Sequence, residues 1–510
     1  RDRFRSTLTA DRAYSRQACL IDDVPFDPQA FTLPPEITRH LDPLHQLTLA
    51  AGRRAVQASM TDPIDPRRVD TILAAIALPT DSASAFSRQL LNPAIERRLF
   101  PRHARPARPV TRTEALAGRV DGLPAALLAA EMGFGGDSFT LDAACASSIY
   151  AVKLACDALA ANRADMVVTG GVSRPDCLYT QTGFSQLRAL SPSGRCSPFD
   201  RQADGLVVGE GVGILVLKRL DDAIRHGDTI HGLIRGIGLS NDMRGNLLAP
   251  EVRGQVRAMR QAYRSAGWNP SDVDLIECHG TGTRAGDAAE LESLVRLWQG
   301  ETTDPGVCAI GSVKSMIGHL LTAAGAAGMI KTLLAMRHHT LPPSIHFEQA
   351  PPESPLHGSP FKVQTRVEPW PTRRSDRPRR AAVSAFGFGG INAHILFEGW
   401  PMASPPAPSA RLQVALPQPD PVAIVGMDVT IGALNGLEAF KSAILEPRSV
   451  IVDRPRQRWK GADAAFIDAL DGFDPKGAYI DRLSVGIGEF QLPPNEIDAI
   501  LPQQLLALKV

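Results

Sequence analysis

The sequence predicts an α/β fold. Short apolar runs recur along the chain, amphipathic helical stretches separate them, and glycine-rich turns follow several of the runs. "DMVVTGGV" (165–172), "GVGILVLKRL" (211–220), "VDLIECHG" (273–280) and "AHILFEG" (393–399) have the length and apolarity of buried strands. "SIYAVKLACDALAANRA" and "TAAGAAGMIKTLLAMRHH" carry an apolar face at helical spacing. Strands and helices in alternation form layers, with helices packed on sheets.

Composition narrows the function. The 510 residues carry 55 basic and 54 acidic side chains, so no global field draws the chain to nucleic acid or to a membrane surface. Apolar residues make up 44%, ordinary for a globular protein. The longest apolar stretch, 320–336, is interrupted by glycines and Lys331, which predicts no membrane span. The opening "RDRFRSTLTADR" lacks the apolar core of a signal peptide. Cys19, Cys145, Cys156, Cys177, Cys196, Cys278 and Cys308 are dispersed with no CxxC pair, which fits a reducing cytoplasm better than a disulfide scaffold. The chain starts without methionine and stops within the helical pattern "PQQLLALKV", as a piece of a longer polypeptide would.

Residues 401–421, "PMASPPAPSARLQVALPQPDP", read as a linker rich in proline, alanine and serine. It divides a large domain, 1–400, from a second segment, 422–510, which opens on "VAIVGMD", read as a fresh buried strand. The two parts share a motif: "FTLPPEITRHLDPLHQLTL" (31–49) resembles "FQLPPNEIDAILPQQLLAL" (490–508). The sharing points to a duplicated domain, with 422–510 the start of a second copy.

The chemistry-bearing residues gather at predicted strand ends. Cys145 follows "SFTLDAA" and opens a helix, where unpaired N–H groups and the helix dipole favour thiolate. Cys156 lies three turns into that helix among small apolar residues and reads as filler. "ECHGTGTRAGDAAE" places His279 before a glycine-rich turn, and "GSVKSMIGHLLTAAGAAG" offers Lys314 and His319. "SAFGFGGINAH" sets Phe386, Gly387, Phe388, Gly389 and Gly390 ahead of a strand, where backbone N–H groups can turn toward a ligand. Each stretch alone could be no more than a tight turn; the four in this order form a constellation.

That constellation resembles the β-ketoacyl synthases, condensing enzymes of the thiolase-like fold. The resemblance runs from about residue 9 to 399, through "DAACASS", "SPSGRCSPFDRQADGLVVGEG", "ECHGTGTRAGD", "KSMIGHLLTAAG" and "FGFGGINAHI" in family order. Both copies resemble ketosynthases of polyketide synthases of the polyunsaturated-fatty-acid type. The resemblance implies a five-layered αβαβα domain of two similar halves, acting as a homodimer among acyltransferase and other synthase domains. It implies no cofactor and no metal within this domain; substrates would arrive on the phosphopantetheine of an acyl carrier protein. Cys145 would hold the acyl chain. His279 and His319 would bind a malonyl-type thioester and promote its decarboxylation. The N–H groups of Cys145 and Phe388 would form the oxyanion hole, Phe388 would gate the acyl pocket, and Lys314 would tune the charge near His319.

Three departures stand out. "AACASS" lacks the threonine and serine that flank the cysteine in many relatives. Gly328 lies where some relatives carry a glutamate paired with the lysine, which leaves Glu290 as the candidate partner of Lys314. The first copy lacks an opening "IVGMG"-type strand, and only 422–427 supplies one. Other classes are disfavoured. A degradative thiolase would need a second cysteine at the C-terminal glycine turn. A cysteine hydrolase would leave one histidine unexplained. A chain-length-factor-like or structural pseudo-ketosynthase would lack Cys145, an alternative that stays open for the second copy. Two basic stretches, 101–112 and 373–380, are candidate docking surfaces for an acidic carrier protein.

Overall fold

A computed structural model describes residues 12–61, 64–99, 123–243, 249–301, 304–372, 377–400, 421, 423–455, 474–481, 483–486, 488–490, 497 and 500–510. The linker 401–421, except for its last residue, the basic stretch 101–112 and most of "PPNEID" lie outside them. The chain forms two compact units: Arg1–Ser84 with Val110–Val414, and Ala85–Pro109 with Ala415–Val510. Ala85–Pro109 thus groups with the later unit although it lies inside the span 1–400.

In the first unit, β1 (Val69–Ala75), β2 (Ser138–Leu141), β3 (Met166–Ser173) and β4 (Gly211–Leu217) form a sheet ordered β2-β1-β3-β4. The chain continues through β5 (Leu233–Asn241), β6 (Leu275–Glu277), β7 (Cys308–Gly311), β8 (Thr340–Leu341), β9 (Phe361–Val363), β10 (Glu368–Pro369), β11 (Arg380–Gly387) and β12 (Ile391–Glu398). Six of these form a second sheet ordered β5-β12-β11-β6-β7-β9, and β8 pairs with β10.

The two sheets repeat one pattern. β2, β1 and β3 run parallel, with β4 antiparallel to β3; β7, β6 and β11 run parallel, with β12 antiparallel to β11. β5 adds an antiparallel strand beside β12. Among the described residues no strand takes the equivalent place beside β4.

Apolar packing stacks five layers. Leu49 and Val56 of the helix Pro43–Gln57 and Leu128 of Leu123–Met132 pack on Leu73 and Val168 of the first sheet. On its other face, Ala151, Ala155 and Ala158 of the helix Ser147–Ala160 meet Ile72 and Val167. That helix and its neighbour Ala324–His338 meet the second sheet through Ile149, Val152, Ala326, Met329, Val383 and Ile395. Met259, Ala262, Leu291 and Leu294, from the helices Val252–Ala266 and Arg284–Leu297, cover the far face of that sheet. This is the αβαβα thiolase-like order.

Small residues let the central layer close. Ala326 N–H donates to Ser148 Oγ (2.9 Å), and Thr322 Oγ1 donates to the Val172 carbonyl (2.8 Å). A Cβ at Gly171 would stand 2.6 Å from the Thr322 carbonyl, and one at Gly325 would stand 2.7 Å from Ser148 Oγ. Both approaches are too short for any side chain, so the run "TAAGAAG" is a packing requirement.

In the second unit, β13 (Thr430–Ile431) and β14 (Leu434–Asn435) form a hairpin, followed by the helix Leu437–Leu445. Pro502 opens the helix Pro502–Lys509 just as Pro43 opens Pro43–Gln57. The expected strand at 422–427 is corrected: described residues 423–427 form no strand, with Ile424 86% and Val425 96% exposed. An apolar run becomes a buried strand only where a neighbouring strand takes up its N–H and C=O groups, and no described strand pairs with this one.

Candidate active site

Cys145 sits in the turn between β2 and the helix Ser147–Ala160. The turn is pinned by two side chains. The Asp142 carboxylate accepts from Ala144 N–H and Ala77 N–H, both at 2.9 Å, and Ser147 Oγ accepts from Ala143 N–H (2.8 Å) and donates to the Ala144 carbonyl. These contacts hold Ala144 at φ 50°, in the left-handed region that a non-glycine residue rarely adopts. The thiol is buried, and backbone N–H groups of Phe388 and of Cys145 itself approach its sulfur. Gly387 makes this possible: a Cβ there would lie 2.9 Å from Ala144 Cβ and 3.1 Å from Cys145 N. Phe388 stands half-exposed at the turn, its ring 6.2 Å from that of Phe184.

His279 follows β6, and His319 lies beyond β7. Their rings meet edge to face, with centroids 5.3 Å apart. His319 is clamped by its backbone, donating from N–H to Val207 O (2.7 Å) and accepting from Gly209 N–H (2.9 Å). Leu321 N–H donates to His319 Nδ1 at 3.1 Å, which leaves the proton of the neutral ring on Nε2. Among the described residues His279 Nδ1 is buried without a hydrogen-bond partner.

Cys145, His279, His319 and Phe388 line one cavity of about 270 Å³, together with Phe386, Asp242 and Asn392. The four expected residues therefore converge, Cys145 from the first half and the others from the second. Cys156 lies apart in its helix. Among the described residues no cluster of His, Cys, Asp or Glu is arranged to hold a metal ion.

The electrostatics revise one expectation. Burial pushes the Cys145 thiol up to about 11, against the opposing charge of Lys314, so the resting group is a thiol and not the thiolate expected of a helix start. The regular helix begins only at Ser147, and loss of water is the largest influence on the thiol. Burial, with Lys314 adding to it, holds both histidines well below their ordinary range; both are neutral at physiological pH.

Lys314 is buried, and among the described residues its ammonium has no ion pair or hydrogen bond. Glu290, expected as its partner, feels the charge of Lys314 without forming an ion pair with it, and it has a second task. Its carboxylate accepts from His279 N–H (2.7 Å) and Gly280 N–H (2.8 Å), so it shapes the histidine turn. Asp287, one turn earlier on the same helix, accepts from Phe199 N–H (2.8 Å), Thr281 N–H (3.1 Å) and Gly282 N–H (3.2 Å). Burial raises both carboxyls to about 7. The space beside Gly328 is filled by Glu277, which pairs with Lys331 at 2.6 Å and accepts from Val313 N–H.

Asp287, Leu321 and Asp242 were not singled out from the sequence. Asp242 accepts from Asn392 Nδ2 (2.8 Å) and donates its N–H to Gly390 O (2.8 Å), fixing the glycine turn. Only Asp287 left a legible signal, the acidic pair "DAAE" one helical turn apart directly after the histidine loop.

The fold and this cavity have the arrangement of the condensing-enzyme class, and comparison with known proteins agrees. The profile of the β-ketoacyl synthase N-terminal domain matches residues 2–223 and 419–510, and that of the C-terminal domain matches 231–348. The chain belongs to the β-ketoacyl synthase family.

Among curated relatives, a polyunsaturated fatty acid synthase component of Thraustochytrium sp. is 33% identical over 487 residues, 92% of this chain and 23% of that protein. A phenolphthiocerol/phthiocerol polyketide synthase component of Mycobacterium tuberculosis is 45% identical over 271 residues, 52% of this chain and 17% of that protein. This chain therefore spans less than a quarter of either relative.

Among solved structures, the PfaC keto synthase–chain length factor superposes with a TM-score of 0.84 at 35% identity, over 97% of this chain and 53% of that one. The ketosynthase from module 6 of the bacillaene synthase from Bacillus subtilis 168 gives 0.65 at 34% identity, over 75% and 64%.

Proposed function

We propose that residues 1–400 catalyse the decarboxylative Claisen condensation of a carrier-bound malonyl-type extender with an acyl chain held on Cys145. The observation that carries this reading is the convergence of one buried thiol, two neutral imidazoles and a backbone N–H pair on a single cavity.

In the first half-reaction the sulfur attacks the carrier thioester carbonyl. Its proton passes to the departing carrier thiolate, which leaves as the thiol. The N–H groups of Cys145 and Phe388 take the oxyanion, an arrangement in which losing one donor costs roughly 3–4 kcal/mol. In the second, the bond from the extender's α-carbon to its carboxylate breaks and CO₂ leaves. The resulting enolate oxygen is held by N–H donors of His319 and His279. The α-carbon then attacks the acyl carbonyl, the carbon–sulfur bond breaks, and Cys145 leaves as thiolate. Sulfur suits both roles, as nucleophile and as leaving group. Lys314 lowers the cost of that thiolate and keeps the imidazoles neutral.

Residues 419–510, which match the N-terminal profile separately, are the opening of a second ketosynthase-like domain in this reading. The likeness to a ketosynthase joined to a chain length factor supports a chain-length-factor-like second copy. A homodimer working with carrier and acyltransferase domains completes the proposal. The test is mass spectrometry of Cys145 after incubation with a panel of acyl thioesters. Acylation there, followed by release on adding malonyl thioester, is expected; acylation elsewhere overturns the assignment.

A further inference from the structure

Glu277 is an acid in an apolar layer. It ends β6, where its partners on the adjacent strands are Gly311 of β7 and Val383 of β11. Leu275, two residues earlier, and Val383 both belong to the apolar core between the second sheet and the central helices. Glu277 is 2% exposed, and a carboxylate buried so deeply is costly unless it is paired and hydrogen-bonded.

Its two oxygens serve different segments. Lys331 Nζ lies 2.6 Å from Oε2, and Val313 N–H donates to Oε1 at 2.6 Å. Gly328 makes room for the side chain, since a Cβ there would lie 3.0 Å from Glu277 Cγ. The Lys314 ammonium takes part in neither contact.

Val313 directly precedes the single helical turn Lys314–Ile317. The first N–H groups of a helix have no partner within it. Here Glu277 takes that of Val313, and Ser312 Oγ takes that of Lys314 (3.3 Å). At the far end Gly318 N–H donates to the Lys314 carbonyl (3.0 Å), and the backbone clamp on His319 follows at once. The turn is thus held at both ends. Its lysine opposes the effect of burial at Cys145 and reinforces it at both histidines.

We infer that Glu277 is a positioning residue, which fixes Lys314 through the backbone of Val313 and so sets how strongly the lysine's charge acts on Cys145. The inference rests on the reading of Cys145 as acyl acceptor. A carboxylate bound to the ammonium itself would neutralise the charge that the site uses. A grip on the neighbouring N–H holds the lysine and leaves its charge in force, while Lys331 balances the acid.

Two double variants separate the grip from the ion pair. Glu277→Gln/Lys331→Met removes both charges and keeps an oxygen for Val313 N–H. Glu277→Leu/Lys331→Met removes the oxygen as well. The measurement is the rate of Cys145 alkylation by iodoacetamide at a fixed pH, resolved by peptide mapping, with thermal unfolding to report the fold. The glutamine pair should stay within about two-fold of the parent, and the leucine pair should slow about five-fold or more, toward the rate of Lys314→Met. In a Lys314→Met background the two pairs should alkylate alike, because coupling vanishes once the partner acted through is gone. If the leucine pair is unfolded, Glu277→Ala/Lys331→Met, which also lacks the oxygen, gives the same comparison. Equal rates for the two pairs beside an intact Lys314, or a difference that survives in Lys314→Met, overturns the inference. If the parent's Cys145 takes no butyryl group from butyryl-N-acetylcysteamine, the catalytic reading fails, while the alkylation rates, which need no substrate, still decide what Glu277 does.

Discussion

Leu321 N–H donates to Nδ1 of His319, and this single bond decides which ring nitrogen carries the proton. Leu321 sits at φ 47° to make it, so local backbone strain sets the tautomer. His319→Gln presents an amide N–H near the Nε2 position and should retain more condensation activity than His319→Ala. Both variants, and His279→Ala, should keep acyl loading of Cys145. Intact-mass measurement of loading beside a condensation assay separates the two steps. Equal loss of both would make a histidine the base for the thiol.

The Cys145 thiol, raised to about 11 by burial, gives up its proton only as pH climbs well above neutrality. Alkylation by iodoacetamide should therefore accelerate close to ten-fold per pH unit between about pH 7 and 9, with no plateau. Lys314→Met removes the charge that opposes burial and should slow alkylation at fixed pH. Cys156, pushed up to about 12, should react more slowly than Cys145. Peptide mapping resolves the two sites, and a plateau below about pH 9 would mean a resting thiolate.

Glu290 receives two N–H groups of the His279 turn, one on each oxygen. Glu290→Gln puts an amide donor against one of them, and an unsatisfied buried donor costs about 1–3 kcal/mol. Condensation should fall about ten-fold or more while loading of Cys145 holds. Parallel loss of both would assign Glu290 to overall folding.

Gly387→Ala forces a methyl group against Ala144 and the Cys145 backbone, displacing the Phe388 N–H from the sulfur. Loading by a small thioester should drop about 100-fold, the scale of one oxyanion donor. Thermal unfolding of the variant, measured alongside, should show a folded protein. Unimpaired loading would remove Phe388 N–H from the oxyanion hole.

Much of the site was legible because its residues lie at the ends of strands, where motif and geometry coincide. Cys145, His279, His319 and the Gly-Phe-Gly-Gly turn were each readable from short stretches. The thiol's resting state was not, since burial by distant segments, and not the adjacent helix, dominates it. Glu290 was legible as a site residue near Lys314, but its two N–H contacts to the histidine turn were not, because a carboxylate beside two N–H groups is a tertiary fact. β1, buried on both faces, passed unremarked between polar neighbours. Residues 423–427 misled in the other direction: their apolarity describes a strand only when partners are present.

The seam between the two halves carries a further consequence. Ser148, Gly171, Thr322 and Gly325 interlock where no spare volume remains, and the thiol and the histidines stand on opposite sides of it. The halves can no longer drift apart in evolution as separate inheritances. A bulkier residue on one bank has to be answered by a smaller one on the other, or the catalytic groups part company. Diversification of the substrate is thereby steered outward, to the cavity mouth and the helices around it, where change on one side asks nothing of the other.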